Sequence, residues 1–106
     1  FIPAVEYIQA NRHRSRLIES MHKLMKDYDV VISPQRGGNQ TLITNLTGHP
    51  AISVPAGFDK KGRPTSIILV GNLYDEASIL ALAKKFQDTT DFEDARPPIF
   101  SGNSIE

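Results

Sequence analysis

Between Tyr7 and Tyr28, apolar side chains recur at Tyr7, Ala10, Leu17, Ile18, Met21, Leu24, Met25 and Tyr28. They lie close to one stripe of a repeat of about 3.6 residues, interrupted at Arg14. The spacing predicts a long amphipathic helix that stops near Asp27 to Asp29. Pro3 suits its first turn, where a missing N–H has no intrahelical partner to lose. The polar block Asn11-Arg12-His13-Arg14-Ser15-Arg16 keeps the phase of the stripe and reads as a solvated face. Asp29-Val30-Val31-Ile32-Ser33-Pro34 is a short β-branched run closed by proline, the pattern of a buried strand. Gln35 to Gln40 reads as a polar, glycine-bearing loop, and Thr41 to Gly48 as a mixed stretch with one helical turn. Ala51-Ile52-Ser53-Val54-Pro55 alternates and places Ile52 and Val54 on one face. Pro55 cannot donate to a ladder, so the strand ends or bulges there.

Phe58-Asp59-Lys60-Lys61-Gly62-Arg63-Pro64 is a charged turn in which Gly62 can supply a positive φ, and Ser66-Ile67-Ile68-Leu69-Val70-Gly71 follows. A hairpin is predicted, with Ala51 to Val54 antiparallel to Ser66 to Val70. The run Ile67 to Val70 has no polar face and belongs in the centre of the sheet. Asp75 then caps a second helix running to about Gln87, with Ile79, Leu80, Leu82, Ala83 and Phe86 at core spacing and Glu76, Lys84 and Lys85 in water. Residues 88–106 read as an irregular surface tail. The element order αβββα plus tail is an α/β fold whose three-stranded sheet has exposed edges and little cover on its second face, which favours self-association.

The chain has 106 residues, 12 basic and 12 acidic, three histidines and no cysteine. That size suits one modest domain or a piece of a larger one, and residues 1–106 read as a single segment. Balanced charge gives no global attraction to nucleic acid or to an anionic membrane, so neither is an expected partner. The apolar run Ile67 to Val70 is far short of the roughly 20 residues of a spanning helix. Lack of cysteine removes disulfides and thiolate-bound metal. Cytosol and periplasm both remain open, with the cytoplasm favoured. Phe1-Ile2-Pro3 does not read as a signal peptide, and the chain is expected to be an excised segment.

Metal binding needs converging ligands, and His13, His22 and His49 are the only imidazoles. At about 100° per residue, His13 and His22 lie on opposite sides of one helix. His49, in Gly48-His49-Pro50, suits a turn. No metal or cofactor is expected. No Gly-x-Ser-x-Gly elbow, phosphate loop or dinucleotide fingerprint occurs, so no catalytic residue is assigned. The most chemically loaded stretch is Gln35-Arg36-Gly37-Gly38-Asn39-Gln40, a guanidinium, amides and glycines at the end of a predicted strand. Arg36, Gly37, Gly38, Asn39, Gln40, Thr44 and Asn45 are the expected substrate-binding residues. Arg36 suits a substrate carboxylate, and Asn45 suits bonds to neighbouring backbone.

Tyr28 to Pro34, then Thr44-Asn45-Leu46-Thr47-Gly48-His49-Pro50-Ala51-Ile52-Ser53-Val54-Pro55-Ala56-Gly57-Phe58, then Gly62-Arg63-Pro64 and Gly71 to Ala77 resemble the C-terminal end of amidase-signature enzymes. That family includes bacterial amidases, fatty acid amide hydrolase and the A subunit of glutamyl-tRNA amidotransferase. The resemblance runs from about Val5 to Gln87. It implies a large domain of mixed β-sheet wrapped by helices, of which this chain is the final part. The family's nucleophilic serine, second serine and lysine base sit on an earlier signature segment, and none maps onto this chain. The amidotransferase members carry a longer, acidic insertion before the Asn-Leu-x-Gly element. Here the ten residues Gln35 to Thr44 include no acid, which makes a generic amidase the better match. The resemblance implies a small-molecule amide substrate for an intact serine amidase and an inactive segment by itself. A non-catalytic assembly module and a transamidation of the amidotransferase type are the alternatives.

Overall fold

A computed structural model describes residues 1–35 and 38–97. The elements are α1 (Ala4–Met25), β1 (Val30–Pro34), α2 (Gln40–Thr47), β2 (Ala51–Phe58), β3 (Pro64–Gly71) and α3 (Glu76–Gln87). The fold is α/β as expected. Its sheet runs β1-β3-β2, with both pairings antiparallel.

The apolar β3 takes the centre, and the hairpin pairs the expected segments antiparallel, with Ala51 opposite Val70 and Val54 opposite Ile67. Its turn is organised by one carboxylate. Asp59 accepts the backbone N–H groups of Lys61 (2.8 Å) and Arg63 (3.0 Å), and the Nε of Arg63 at 2.8 Å. The Arg63 backbone and side chain hold its pKa below the ordinary carboxylate value. Gly62 supplies the positive φ of 71°.

Alternation sorts the sheet into two faces. Val54 and Leu69 on one face pack with Ile79 and Ala83 of α3, and Val30, Ile52, Ile67 and Phe86 surround them. Burying each such aliphatic side chain stabilises the fold by about 1.5–3 kcal/mol. The Asp75 carboxylate starts α3 by accepting from the Ser78 N–H (3.3 Å) and hydroxyl (2.7 Å). Gly71 lets the helix approach, since a Cβ there would lie 2.8 Å from Ile79 Cγ2.

Four expectations need correction. The order is αβαββα, because Gln40–Thr47 forms a helix of 8 residues in place of a single turn. Threonine is a weak helix former, but Thr44 and Thr47 are buried here and return their hydroxyls to backbone carbonyls one turn back. Gly48 then ends the helix at φ 79°, a conformation other residues resist. Second, β1 is not buried but an edge strand, with Ile32 61% exposed, whereas β2 bulges as one of the two expectations had it, passing Pro55 to Phe58 through an irregularity between Pro55 and Phe58. The Thr65 hydroxyl meets the Ala56 and Gly57 carbonyls there. Third, Leu80 and Leu82 of α3 are exposed, since only the Ile79–Ala83–Phe86 line reaches the sheet. Fourth, α1 does not bury its stripe. Met25 is buried and Leu17, Ile18 and Met21 are half-buried, while Tyr7 and Leu24 are exposed.

The reason is that the main contacts of α1 are with α2. Arg14 Nε donates to the Leu46 carbonyl at 2.7 Å, and Asn72 Nδ2 ties the Tyr28 carbonyl to the end of β3 at 2.8 Å. The radius of gyration is 18.4 Å. A compact domain of about 100 residues would have roughly 13 Å. Beyond α3, Phe92 lies against Phe86 with ring centroids 6.2 Å apart, and turns run through this part of the expected tail. The rest of that tail, residues 98–106, lies outside the described residues. No described helix is long and apolar enough to cross a membrane.

Candidate functional site

The face of the sheet opposite α3 carries Ser33, Ile68 and Ser53 in one row across the three strands, with Ser66 two residues from Ile68. This face is only lightly covered, and α2 stands over one end of it. Between them lies a cavity of about 240 Å³. Gln40, Thr41, Thr44 and Asn45 line it from α2, and Ala51, Ile52, Ser53 and Ile68 line it from the sheet.

Three of the expected substrate-binding residues, Gln40, Thr44 and Asn45, therefore share one concavity. Gly38, at φ 75° with open space around it, and Asn39, whose side chain makes no capping bond, do not line it. Arg36 and Gly37 lie outside the described residues. Ser53 and Ile68 are not among the sequence candidates. The signal for them is the alternation itself, because a register with Ile52 and Val54 facing the core turns Ser53 to the other side.

The hydrogen bonds inside the cavity are directional. The Thr44 hydroxyl is directed at the Gln40 and Thr41 carbonyls, both at 3.2 Å, so its oxygen is left as an acceptor. Gln40 Nε2 donates to that oxygen at 3.4 Å. Gln40 Oε1 is buried and has no partner among the described residues. The Ser53 hydroxyl donates to Ser66 Oγ at 3.0 Å. The Asn45 side chain is exposed and makes no bond to described backbone, contrary to the turn role expected of it.

His49 sits at the far end of α2, only 5% exposed. Thr47 gives its hydroxyl proton to the Ile43 carbonyl, so the 2.9 Å contact between His49 Nδ1 and Thr47 Oγ1 requires the proton on Nδ1. Burial, and then the charge of His22, push the imidazole pKa below 6.5 and favour the neutral ring. Its place is structural. Among the described residues no group of three or more histidines and acids could hold a metal. No described serine has a hydrogen bond to a lysine or histidine that could serve as a base.

The chain is thus an α/β segment with one concavity between α2 and the sheet and no nucleophile–base pair among the described residues. No family model matches the chain. It is similar to the glutamyl-tRNA(Gln) amidotransferase A subunit of Streptococcus agalactiae, 32% identical over 117 residues that cover 92% of this chain and 24% of that protein. The corresponding protein of Brevibacillus brevis is 32% identical, over 86% of this chain and 22% of that one. Among solved structures it is similar to an amidase family protein from Bacillus anthracis, with a TM-score of 0.75 and 20% identity over 92% of this chain and 19% of that one. The chain belongs to the amidase signature family. It spans about a quarter of the length of the curated relatives it matches. The 117 aligned positions exceed its 106 residues, so the alignment opens gaps in this chain.

Proposed function

We propose that this chain is the C-terminal scaffold of a serine amidase and forms one wall of its substrate channel. In the parent, a serine hydroxyl attacks the substrate carbonyl as a lysine takes its proton. The amine leaves, and water then releases the acid from the acyl-enzyme. The present segment supplies binding and shape to that reaction and no group that forms or breaks a bond. The observation that carries this reading is the family relationship over 92% of the chain, combined with a cavity lined by Gln40, Thr41, Thr44 and Asn45 on one side. The same reading proposes that Arg36 to Asn39 face the channel beyond this cavity and that Arg36 selects a substrate carboxylate.

The chain alone is expected to be inactive. A serine-directed fluorophosphonate should label an intact amidase and leave this chain unmodified; stoichiometric labelling of any serine in it would overturn the reading. A transamidation role is the second reading, favoured by the names of the curated relatives. The shorter, acid-free segment before Asn45 argues for hydrolysis instead. An assembly module is the third, favoured by the exposed apolar residues of α1. The coding sequence preceding Phe1 separates enzyme from module: a glycine- and serine-rich segment with an earlier lysine supports the enzyme, and a start codon just before Phe1 supports the module.

A further inference from the structure

Helix α1 has two opposite faces. At about 100° per residue, Arg14, Leu17, Ile18, Met21 and Met25 fall on one side, where Arg14 bonds to α2 and the four apolar side chains are buried or half-buried. Val5, Ile8, Arg12 and Arg16 fall within about 80° of one another on the other side, and all four are exposed. This outer stripe starts apolar and ends cationic. The 8 residues of α2 span about 12 Å against about 33 Å for the 22 of α1, so the first turns of α1 also extend past α2. Arg12 and Arg16 make no ion pair among the described residues.

A surface of matching chemistry lies just past the other end of the same helix. A groove of about 610 Å³ separates the α1–β1 connection from α3, with Tyr28, Val30, Ala81 and Leu82 as its apolar lining and the Asp27 and Asp29 carboxylates beside them. Neither carboxylate has an ion-pair partner among the described residues, and no basic side chain lines the groove. It is shallow: Val30 is half-buried, while Tyr28, Ala81, Leu82 and both acids are exposed. A small molecule would stay mostly in water there, whereas an amphipathic helix covers the apolar lining and brings cations to both acids. We propose that this groove receives the outer stripe of α1 from a second copy of the chain, with Val5 and Ile8 on the apolar lining and Arg12 and Arg16 at Asp27 and Asp29. Charge complementarity selects that occupant. The chain is neutral overall, yet it carries free cations on the first half of α1 and free carboxylates just beyond its last turn. Two copies with antiparallel α1 helices exchange both contacts about a two-fold axis, and the assembly closes as a dimer. Parallel helices would set Arg12 and Arg16 of one copy against those of the other. This interface is distinct from the open sheet edges and independent of the amidase reading.

The test is a charge exchange in the full chain, read by sedimentation equilibrium. Raising salt from about 50 mM to about 500 mM should weaken the dimer about tenfold, because its ion pairs lie at the surface and are screened. One variant carries Asp27→Lys with Asp29→Lys, the other Arg12→Glu with Arg16→Glu, and circular dichroism checks that both keep their helix content. Each should be monomeric at concentrations where the unaltered chain is a dimer. Mixed in equal amounts they should dimerise again, since every reversed charge then meets its opposite across the two copies. Should a reversal variant lose helix content, Asp27→Asn with Asp29→Asn takes its place and should weaken the dimer about tenfold. A chain that stays monomeric at low salt overturns the proposal. So does association that persists unchanged in the variants, which would assign it to the sheet edges, and so does a mixture that stays monomeric.

Discussion

At His49 the chain places a titratable ring in a buried position, with its Nδ1 proton committed to Thr47. The folded-state pKa lies below the ordinary 6.5, from burial first and His22 second. Below that pH the unfolded ring binds a proton that the folded ring resists, so stability falls as pH drops through this range. Above it both states are neutral and His49 contributes no slope. Urea unfolding should show lower stability at pH 5 than at pH 7.5, and His49→Asn should shrink that difference. The same difference in both proteins would show that His49 is not its source. The sequence marks His49 as a turn residue through its glycine and proline neighbours, but not its burial. Burial depends on α1 arriving over α2, and nothing within Gly48-His49-Pro50 encodes that arrival.

At the level of elements, the two helices with strong signals behave differently. For α3, the Asp75 cap, the core line and the last basic turn all point to the same boundaries, and the helix follows them. Asp75→Ala should cost about 1 kcal/mol. A shift in the denaturation midpoint at unchanged slope would measure it, and no shift would mean that the bonds to Ser78 add nothing net. For α1 the periodicity is equally clear, yet half of the stripe is exposed and only Met25 is fully buried. Periodicity reports that a face wants cover; it does not say which element provides it. The opposite case is α2, weak in propensity because of its threonines, formed because Thr44 and Thr47 are buried and Gly48 closes the turn. This helix carries Gln40, Thr44 and Asn45 to the cavity, so the candidate site rests on the element whose sequence signal is faintest.

The whole molecule is elongated, 65 × 36 × 18 Å, with β1 and β2 as open edges of the sheet and Ile32 on β1 61% exposed. Such a surface calls for a partner. The isolated chain should self-associate, giving a light-scattering mass that rises with concentration. A constant monomer mass at high concentration would show that the exposed edges and α1 are tolerated in water.

Features that depend on neighbours along the chain were legible in the residues. Alternation set the hairpin and its register, the apolar run set the central strand, Asp75 set the start of α3, and the ordered Asn-Leu-x-Gly-x-Pro and Pro-x-Gly-Phe elements carried the family. The packing of separate elements set which residues meet across the chain. It brought Ser53 and Ile68 of the sheet opposite Gln40 and Thr44 of α2, and it left Gln40 Oε1 without a donor among the described residues. The physical reason is that period and capping are short-range properties, fixed by backbone geometry within a few residues. Cavities and unpaired atoms arise from how separate elements fill space, which no local pattern specifies.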